Sequence, residues 1–403
     1  MRRLGNARIL MYSHDTFGLG HLRRCRTIAH ALVEQFKGLH VLIVSGSPIA
    51  GAFDFRARVD FVKIPSVIKL YNGEYTSIAQ HIDLQETLEL RQSIIRLTAE
   101  SYRPDILIVD KEPLGLRGEL VETLSYLKAH GTVLALGLRD VMDSPELLSN
   151  EWARHDVVRR IDSLYDSIWV YGPRDFWDPL TGFDLPSGLR SRMLFTGFLQ
   201  RSMPTAPSTS NQPQGEYILV TAGGGGDGGD IMHDVLAAYR TPSAPLLPAL
   251  LVLGPLMPAE ERDSIRGEAK NLENVTVIEF DNRMETLIAG AAGVVGMGGY
   301  NTFCEILSFD KPSLIIPRVR PREEQLIRAT RAAELGLADM MSPEESRDPA
   351  KLSAALSRLP SRSRPSQNGR DLNLSGLDTI CEVVGGWLEQ RALPRLTAIE
   401  GGL

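Results

Sequence analysis

Near the start of the chain, Arg8-Ile9-Leu10-Met11-Tyr12-Ser13 forms a short apolar run that gives way to polar residues and then to Gly18 and Gly20. A run of this length bounded by turn residues predicts a buried strand followed by a loop. Leu22, Cys25, Ala29, Leu32 and Phe36 then recur at the spacing of one helix face. Residues 40–45 are a second apolar run, closed by Gly46-Ser47-Pro48. Strand, helix and strand at these lengths predict a βαβ unit. Further short apolar runs at 105–110, 132–138, 167–171 and 193–195 continue the pattern. Together they predict an open parallel sheet with helices on both faces.

Between Gln200 and Gly215 the pattern stops. This stretch holds Pro204, Pro207 and Pro213 and no aliphatic periodicity, which predicts a linker. After it the strand–turn–helix pattern restarts, with apolar runs at 217–221, 249–253, 275–279, 293–297 and 313–317. Residues 360–376 are polar and read as a loop, and 377–388 read as a last amphipathic helix. The expected organisation is an N-terminal domain at 1–199, a linker at 200–215 and a C-terminal domain at 216–403 that includes the last helix. A length of 403 residues suits two domains. Two doubly wound α/β, Rossmann-like domains would place a binding cleft between them.

Composition narrows the function. Hydrophobic residues at 43% and charged residues at 23% are ordinary for a soluble globular chain. The 44 basic and 50 acidic residues give a net charge of −6, without the basic balance that nucleic acid binding requires. Arg2, Arg3, Arg8, Arg23, Arg24 and Arg26 crowd the N-terminus. They read either as a solvated helix face or as a contact for phosphates or an anionic membrane surface. Cys25, Cys304 and Cys381 are widely spaced and match no metal-ligand pattern, so reduced buried thiols are expected, as in a cytosol. No apolar signal core follows the charged start, and no run of about 20 apolar residues occurs. The expected location is cytoplasmic, with peripheral contact at the inner membrane face left open.

Four segments carry candidate chemistry. Gly223-Gly224-Gly225-Gly226-Asp227-Gly228-Gly229 follows one predicted strand and precedes a predicted helix. Glycines let backbone N–H groups approach phosphate oxygens, and a helix N-terminus favours negative charge. A dinucleotide site would add an acid at the end of the next strand, but that strand ends Leu253-Gly254-Pro255. Gly298-Gly299-Tyr300-Asn301-Thr302 is a second glycine turn before a helix that carries Glu305. Glu305 reads either as the acid of a capping box with Thr302 as N-cap, or as a carboxylate for ribose hydroxyls. Arg318-Val319-Arg320-Pro321-Arg322-Glu323-Glu324-Gln325 follows the strand at 313–317, where open α/β sheets bind ligands. Its Glu324 and Gln325 suit sugar hydroxyls. Finally, His14 and His21 flank a loop with Asp15, Gly18 and Gly20 after the first strand. Either histidine could take a proton from a hydroxyl nucleophile. At the mouth of a helix His21 would be kept neutral and competent as a base.

These segments together resemble the GT-B glycosyltransferases, and most of all glycosyltransferase family 28, which includes the enzyme that adds N-acetylglucosamine to lipid I. The likeness spans nearly the whole chain in architecture and is specific from Tyr217 to Leu337. Leu19-Gly20-His21 stands where that family has a Gly-Gly-His loop at the acceptor, one glycine being replaced. Glu279-Phe280-Asp281 and Met284 stand where it holds the base, and Cys304-Glu305-Ile306 where its Ser-Glu-Ile binds ribose. The family's sugar-reading His-Lys-Asp-Arg-Gln-Gln is represented by Arg320-Pro321-Arg322-Glu323-Glu324-Gln325, with only the last Gln kept. Gly20-His21-Leu22-Arg23-Arg24 and Pro321-Arg322-Glu323-Glu324-Gln325 are similar to strings in bacterial proteins described as predicted glycosyltransferases.

The resemblance implies an inverting transferase that moves a hexose or N-acetylhexosamine from a nucleoside diphosphate sugar, UDP-sugar first, to a hydroxyl acceptor. That acceptor would be lipid-linked, a saccharide or a small molecule, in cell-envelope or exopolysaccharide synthesis. It also implies base chemistry by His21 (alternatively His14) and a diphosphate cradle of Gly223, Gly224, Gly225, Gly226, Gly298, Gly299, Asn301 and Thr302. Phe280, Asp281 and Met284 would hold the base, Glu305 the ribose, and Arg320, Glu324 and Gln325 the sugar. No Asp-x-Asp occurs, so no metal is expected, and no cofactor beyond the donor. The rival expectations are an epimerase or hydrolase of the same fold and a non-catalytic nucleotide-sugar binding protein.

Overall fold

The computed structural model describes residues 2–14, 19–69, 75–77, 82–204 and 213–400. Of the segments singled out above, Asp15 to Gly18 in the histidine loop and residues 205–212 of the linker lie outside the described residues.

The chain forms two compact units. The first comprises residues 1–140, 145–199 and 375–403, and the second 141–144 and 200–374. Among the described residues, the sheet of the first unit has β1 (Arg2–Ser13), β2 (Phe36–Ser45) and β3 (Val59–Lys63), the last followed by the small hairpin β4 (Val67–Lys69) and β5 (Tyr75–Ser77). It continues with β6 (Ile106–Asp110), β7 (Val133–Arg139), β8 (Ser167–Tyr171) and β9 (Met193–Phe195). The order is β3-β2-β1-β6-β7-β8-β9 and every pair is parallel. A parallel sheet is covered on both faces, so its strands read as continuous apolar runs rather than alternations. The buried strand Ile-Leu-Ile-Val-Asp of β6 is such a run. The order turns back between β1 and β6, and Ser13 pairs in register with both Ser45 and Asp110. Ligands of open α/β sheets bind at such a switch point, beyond the carboxyl ends of the strands.

The second unit repeats the plan with β10 (Ile218–Thr221), β11 (Ala249–Val252), β12 (Val275–Ile278), β13 (Gly293–Gly296), β14 (Ser313–Ile315) and β15 (Asp339–Met340). Its order is β12-β11-β10-β13-β14-β15, again parallel. The switch falls between β10 and β13, where Thr221 pairs with Gly296. Both glycine turns leave the sheet at that point, one after each strand. The β10 and β11 side chains bury against the helix Gly229–Tyr239 through Ile231, Met232, Val235 and Leu236.

The last helix, Gly376–Glu400, belongs to the first unit although it follows the second in sequence. Chain order alone had grouped it with the C-terminal domain. Its apolar residues Ile380, Val384 and Leu388 are buried. Trp387 stacks on Trp169 of β8 with ring centroids 5.8 Å apart. Where the chain re-enters the first unit, Gly376 donates its N–H to the carbonyl of Phe198 at 3.1 Å. A Cβ on Gly376 would lie 2.6 Å from the carbonyl oxygen of Gly197, so only glycine fits. Among the described residues no helix is long and apolar enough to cross a membrane.

Candidate active site

In the first unit, His21 sits in the first turn of the helix Gly20–Gln35, beyond the end of β1. Its Nδ1 lies 2.5 Å from Oδ2 of Asp110, the last residue of β6. An ionised carboxylate only accepts, so Nδ1 carries the proton and Nε2 keeps its lone pair. The His21 side chain is 13% exposed and that of Asp110 1%. Burial pushes the imidazole down to about 4, against the raising pull of Asp110 and with the cations of Arg24 and Lys111 assisting. Asp110 is held well below the usual carboxylate range by Arg24 and His21, which outweigh its burial. The ring is therefore neutral and oriented at ordinary pH, as a general base must be.

His14, the rival, directly follows β1 and is 4% exposed. Its Nδ1 faces the hydroxyl of Tyr12 at 3.3 Å. That hydroxyl donates to Oε1 of Glu119 at 2.6 Å, and Glu119 is paired through both oxygens with the buried Arg91. Burial lowers His14 to about 3. It is less accessible than His21. The two rings are 5.7 Å apart, edge to face.

In the second unit the first glycine turn is interlocked with the end of β11. Gly225 has φ +87°, and a Cβ there would fall 2.3 Å from the carbonyl oxygen of Leu253. Gly254 has φ +93°, and its Cβ would meet the backbone of Gly223 and Gly224 below 2.8 Å. Leu256 donates its N–H to the carbonyl of Gly224 at 3.0 Å. Much of the glycine content thus serves backbone-on-backbone packing, in addition to any ligand. Gly223 and Gly225 turn their N–H groups inward, to Thr221 Oγ1 and the carbonyl of Ala222. Gly223 itself has open space where a Cβ would stand.

The second turn is braced from below. Arg328, fully buried, donates to the carbonyl of Gly298 at 2.9 Å and lies 5.8 Å from the ring of Tyr300. Gly298 at φ +77° turns the chain early, so the helix Tyr300–Ser308 starts with Gly299 as N-cap and no side-chain cap. This corrects the capping-box reading: Thr302 lies inside the helix and does not cap it. Glu305 is 1% exposed in that helix, and Thr302 and Asn301 are also buried. The Asn301 side-chain oxygen accepts from the buried Arg201 at 2.9 Å, which anchors the start of the linker segment in the second unit. Phe280 and Asp281 are half-buried beyond β12, where Asp281 caps the N–H of Arg283 at 2.7 Å. Met284 packs into the core with Leu287 and Val252.

After β14, Arg318 organises the predicted sugar-reading residues. Its guanidinium pairs with Asp227 of the glycine turn and reaches Oε1 of Glu324 at 3.1 Å. Its backbone N–H donates to Oε1 of Gln325 at 3.0 Å. Arg320 is exposed. Asp143, from the short 141–144 segment, accepts from the N–H of Glu323 at 2.8 Å and from Arg322 at 3.1 Å.

Sequence reasoning missed Asp110, Arg24, Arg318 and Arg328. An acid closing an all-apolar strand was a usable signal for Asp110. For Arg24, a solvated helix face was one of the two readings, and the structure overturns it: the side chain is 2% exposed, because Asp110 supplies its partner inside the unit. Arg23 and Arg26 of the same helix stay half-buried. Among the described residues, no group of three His, Cys, Asp or Glu side chains converges as a metal site.

Residues 250–380 match the glycosyltransferase family 28 C-terminal domain. No curated protein matches the chain in sequence. The fold is shared with solved glycosyltransferases. CalG4, the calicheamicin glycosyltransferase, superposes with a TM-score of 0.59 at 16% identity over 96% of this chain and 99% of that one. UGT2 of Phytolacca americana, complexed with UDP-2-fluoroglucose and pterostilbene, gives 0.58 at 14% over 94% of each. MurG of Acinetobacter baumannii gives 0.51 at 12% over 92% of this chain and 99% of its own. The chain has the GT-B fold, and its residues 250–380 are similar to the family 28 C-terminal domain.

Proposed function

We propose that this GT-B chain is an inverting, metal-independent glycosyltransferase that moves a hexose or N-acetylhexosamine from a nucleoside diphosphate sugar, UDP-sugar first, to an acceptor hydroxyl. The observation that carries the reading is the His21–Asp110 pair: a neutral imidazole with Nδ1–H fixed on a buried carboxylate, at the switch point of its sheet. His21 Nε2 takes the proton of the acceptor hydroxyl. The oxygen attacks the anomeric carbon from the face opposite the diphosphate, the glycosidic C–O bond breaks, and its electron pair leaves on the phosphate. Attack from that face inverts the anomeric centre. Asp110 stabilises the imidazolium that forms, as a carboxylate does for an oriented histidine base.

The leaving diphosphate gathers negative charge, which backbone N–H groups and helix N-termini stabilise. Gly224, Gly298 and Gly299 fit that role, at two turns brought together by the β10–β13 pairing. Glu305 is assigned to the ribose, the Phe280–Asp281 corner to the base, and Glu324, Gln325 and Arg320 to the sugar. The UDP-sugar analogue named with the Phytolacca enzyme and the family 28 match support this donor class.

A thermal-shift screen against nucleotide sugars tests the donor assignment. A ligand at 100 times its Kd stabilises by about 2.7 kcal/mol. A panel without any shift would overturn it. With a donor in hand, His21→Ala should abolish transfer while the donor shift persists, and retained transfer would move the base to His14. Product formed without an acceptor would mark a hydrolase or epimerase instead.

A further inference from the structure

The carboxylate behind His21 is already engaged by a second group. Arg24, one turn along the same helix, directs Nε to Asp110 Oδ1 at 2.7 Å and Nη2 to Oδ2 at 2.5 Å. Oδ2 thus receives His21 and Arg24 together, and Arg24 Nη2 stands 3.2 Å from His21 Nδ1. The guanidinium is 5.8 Å from the ring of Tyr171 on β8. Tyr171 reaches there by lying across Gly137 of β7, where a Cβ would fall 1.9 Å from the tyrosine oxygen. Three strands and a helix therefore cooperate to hold a buried cation next to the histidine's carboxylate. A two-pronged arginine fixes the plane of a carboxylate in a way a single donor does not.

We propose that Arg24 is a positioning residue of the transfer reaction: it locks the Asp110 carboxylate in the orientation that receives His21 Nδ1–H and offsets its charge, so that His21 works as a permanently oriented imidazole. The proposal rests on the reading of His21 as the base. Among the described residues, the charged and titratable groups acting on His21 include Asp110 at the end of β6 and Lys111 just beyond it, Arg24 on its own helix and His14 just after β1. Asp110 favours the protonated ring, and Arg24 and Lys111 oppose it. Without Arg24 the charge of Asp110 acts on the histidine undiluted, and the ring holds its proton to higher pH.

The test uses the full chain with labelled histidine, the His21 resonance being assigned by its loss in His21→Ala. In Arg24→Gln the His21 titration should move up by about one pH unit, a tenfold gain in proton affinity. The acid limb of kcat/KM should move up with it. In Arg24→Lys, which keeps a cation but cannot hold both carboxylate oxygens, the titration should stay near wild type. There kcat should fall about tenfold with donor KM unchanged. An unmoved His21 titration in the Gln variant overturns the proposal. Arg24→Lys carries the test alone if the Gln variant does not fold, and an undiminished kcat in it is equally fatal. Should His21→Ala itself retain turnover, the base assignment fails, while the titration still reports whether Arg24 acts on His21.

Discussion

Replacing Asp110 with Asn changes one atom and removes one charge, and the structure sets the size of the effect. The carboxylate accepts from His21 Nδ1 at 2.5 Å and from Arg24 at 2.7 and 2.5 Å. An amide has one oxygen and one NH2, so one side of the group must face a donor with a donor. If NH2 faces Arg24, a buried guanidinium loses a partner. If it faces His21, in the Oδ2 position that Arg24 Nη2 shares, the guanidinium loses an acceptor there too, the ring must accept at Nδ1, and its proton moves to Nε2, the atom that is to act as base. Breaking a buried ion pair from one side costs about 3–5 kcal/mol. For a unit of this size that is a fall in Tm of roughly 6–20 °C. Losing the orienting carboxylate of a histidine base costs about 10²–10⁴ in kcat. Donor affinity should not change, because the residues proposed for the donor belong to the other unit. The sign with pH follows from the depressed carboxyl: its stabilisation is complete above the ordinary pKa of 3.8 and fades as pH falls toward the folded value. Thermal unfolding, donor binding and turnover of Asp110→Asn beside wild type are the assay. Turnover within about threefold of wild type, with stability within about 1 kcal/mol, would refute the roles given to Asp110 and His21.

Other outcomes can be stated as firmly. Gly225→Ala should destabilise the second unit by about 2 kcal/mol or more, since its Cβ meets the Leu253 carbonyl at a positive φ. Gly223→Ala, with open space around its Cβ, should cost only about 1 kcal/mol, and urea unfolding of the two variants separates packing from conformational strain. Glu305→Gln should lower donor affinity about tenfold in calorimetry, an effect expected to be smaller for the free base than for the nucleoside. Acid titration of stability should show a steep loss from pH 6.5 down toward 3–4. His14, His21 and His30 have folded values of about 3, 4 and 3 against 6.5 unfolded, so the unfolded chain binds more protons throughout that window. Each contributes a slope of up to about 1.4 kcal/mol per pH unit, and a flat profile there would show the rings to be solvated.

The strands were legible because a parallel sheet buries both faces, so runs such as Ile106–Val109 and Val294–Val295 announce themselves. The glycine turns were legible as turns, but their interlock across β10 and β11 was not, since contact between Gly225 and Leu253 needs the sheet to exist. His21 could be picked from its loop. Its partner Asp110 is 89 residues away and reaches it only through the β1–β6 register. A separation of 86 residues hides the partner of Arg24: Leu22, Cys25 and Ala29 mark the buried stripe, and nothing local says that an arginine beside it will find a carboxylate inside. The capping box on Thr302 and Glu305 matched in spacing, yet the left-handed turn at Gly298 had already started the helix.

The place of the helix Gly376–Glu400 sets an order of events during synthesis. The ribosome delivers all the strands of the first unit and then residues 200–374 of the second before it releases the residues that cover Trp169. Until then the nascent first unit shows an uncovered apolar surface to its surroundings, one that waits for Ile380, Val384, Trp387 and Leu388. A stop codon placed after Leu374 would leave that surface bare for good. Burying each of these aliphatic side chains stabilises by about 1.5–3 kcal/mol, so their joint loss is comparable with the total stability of a domain. Such a truncated chain would fail in the half of the molecule that was made first.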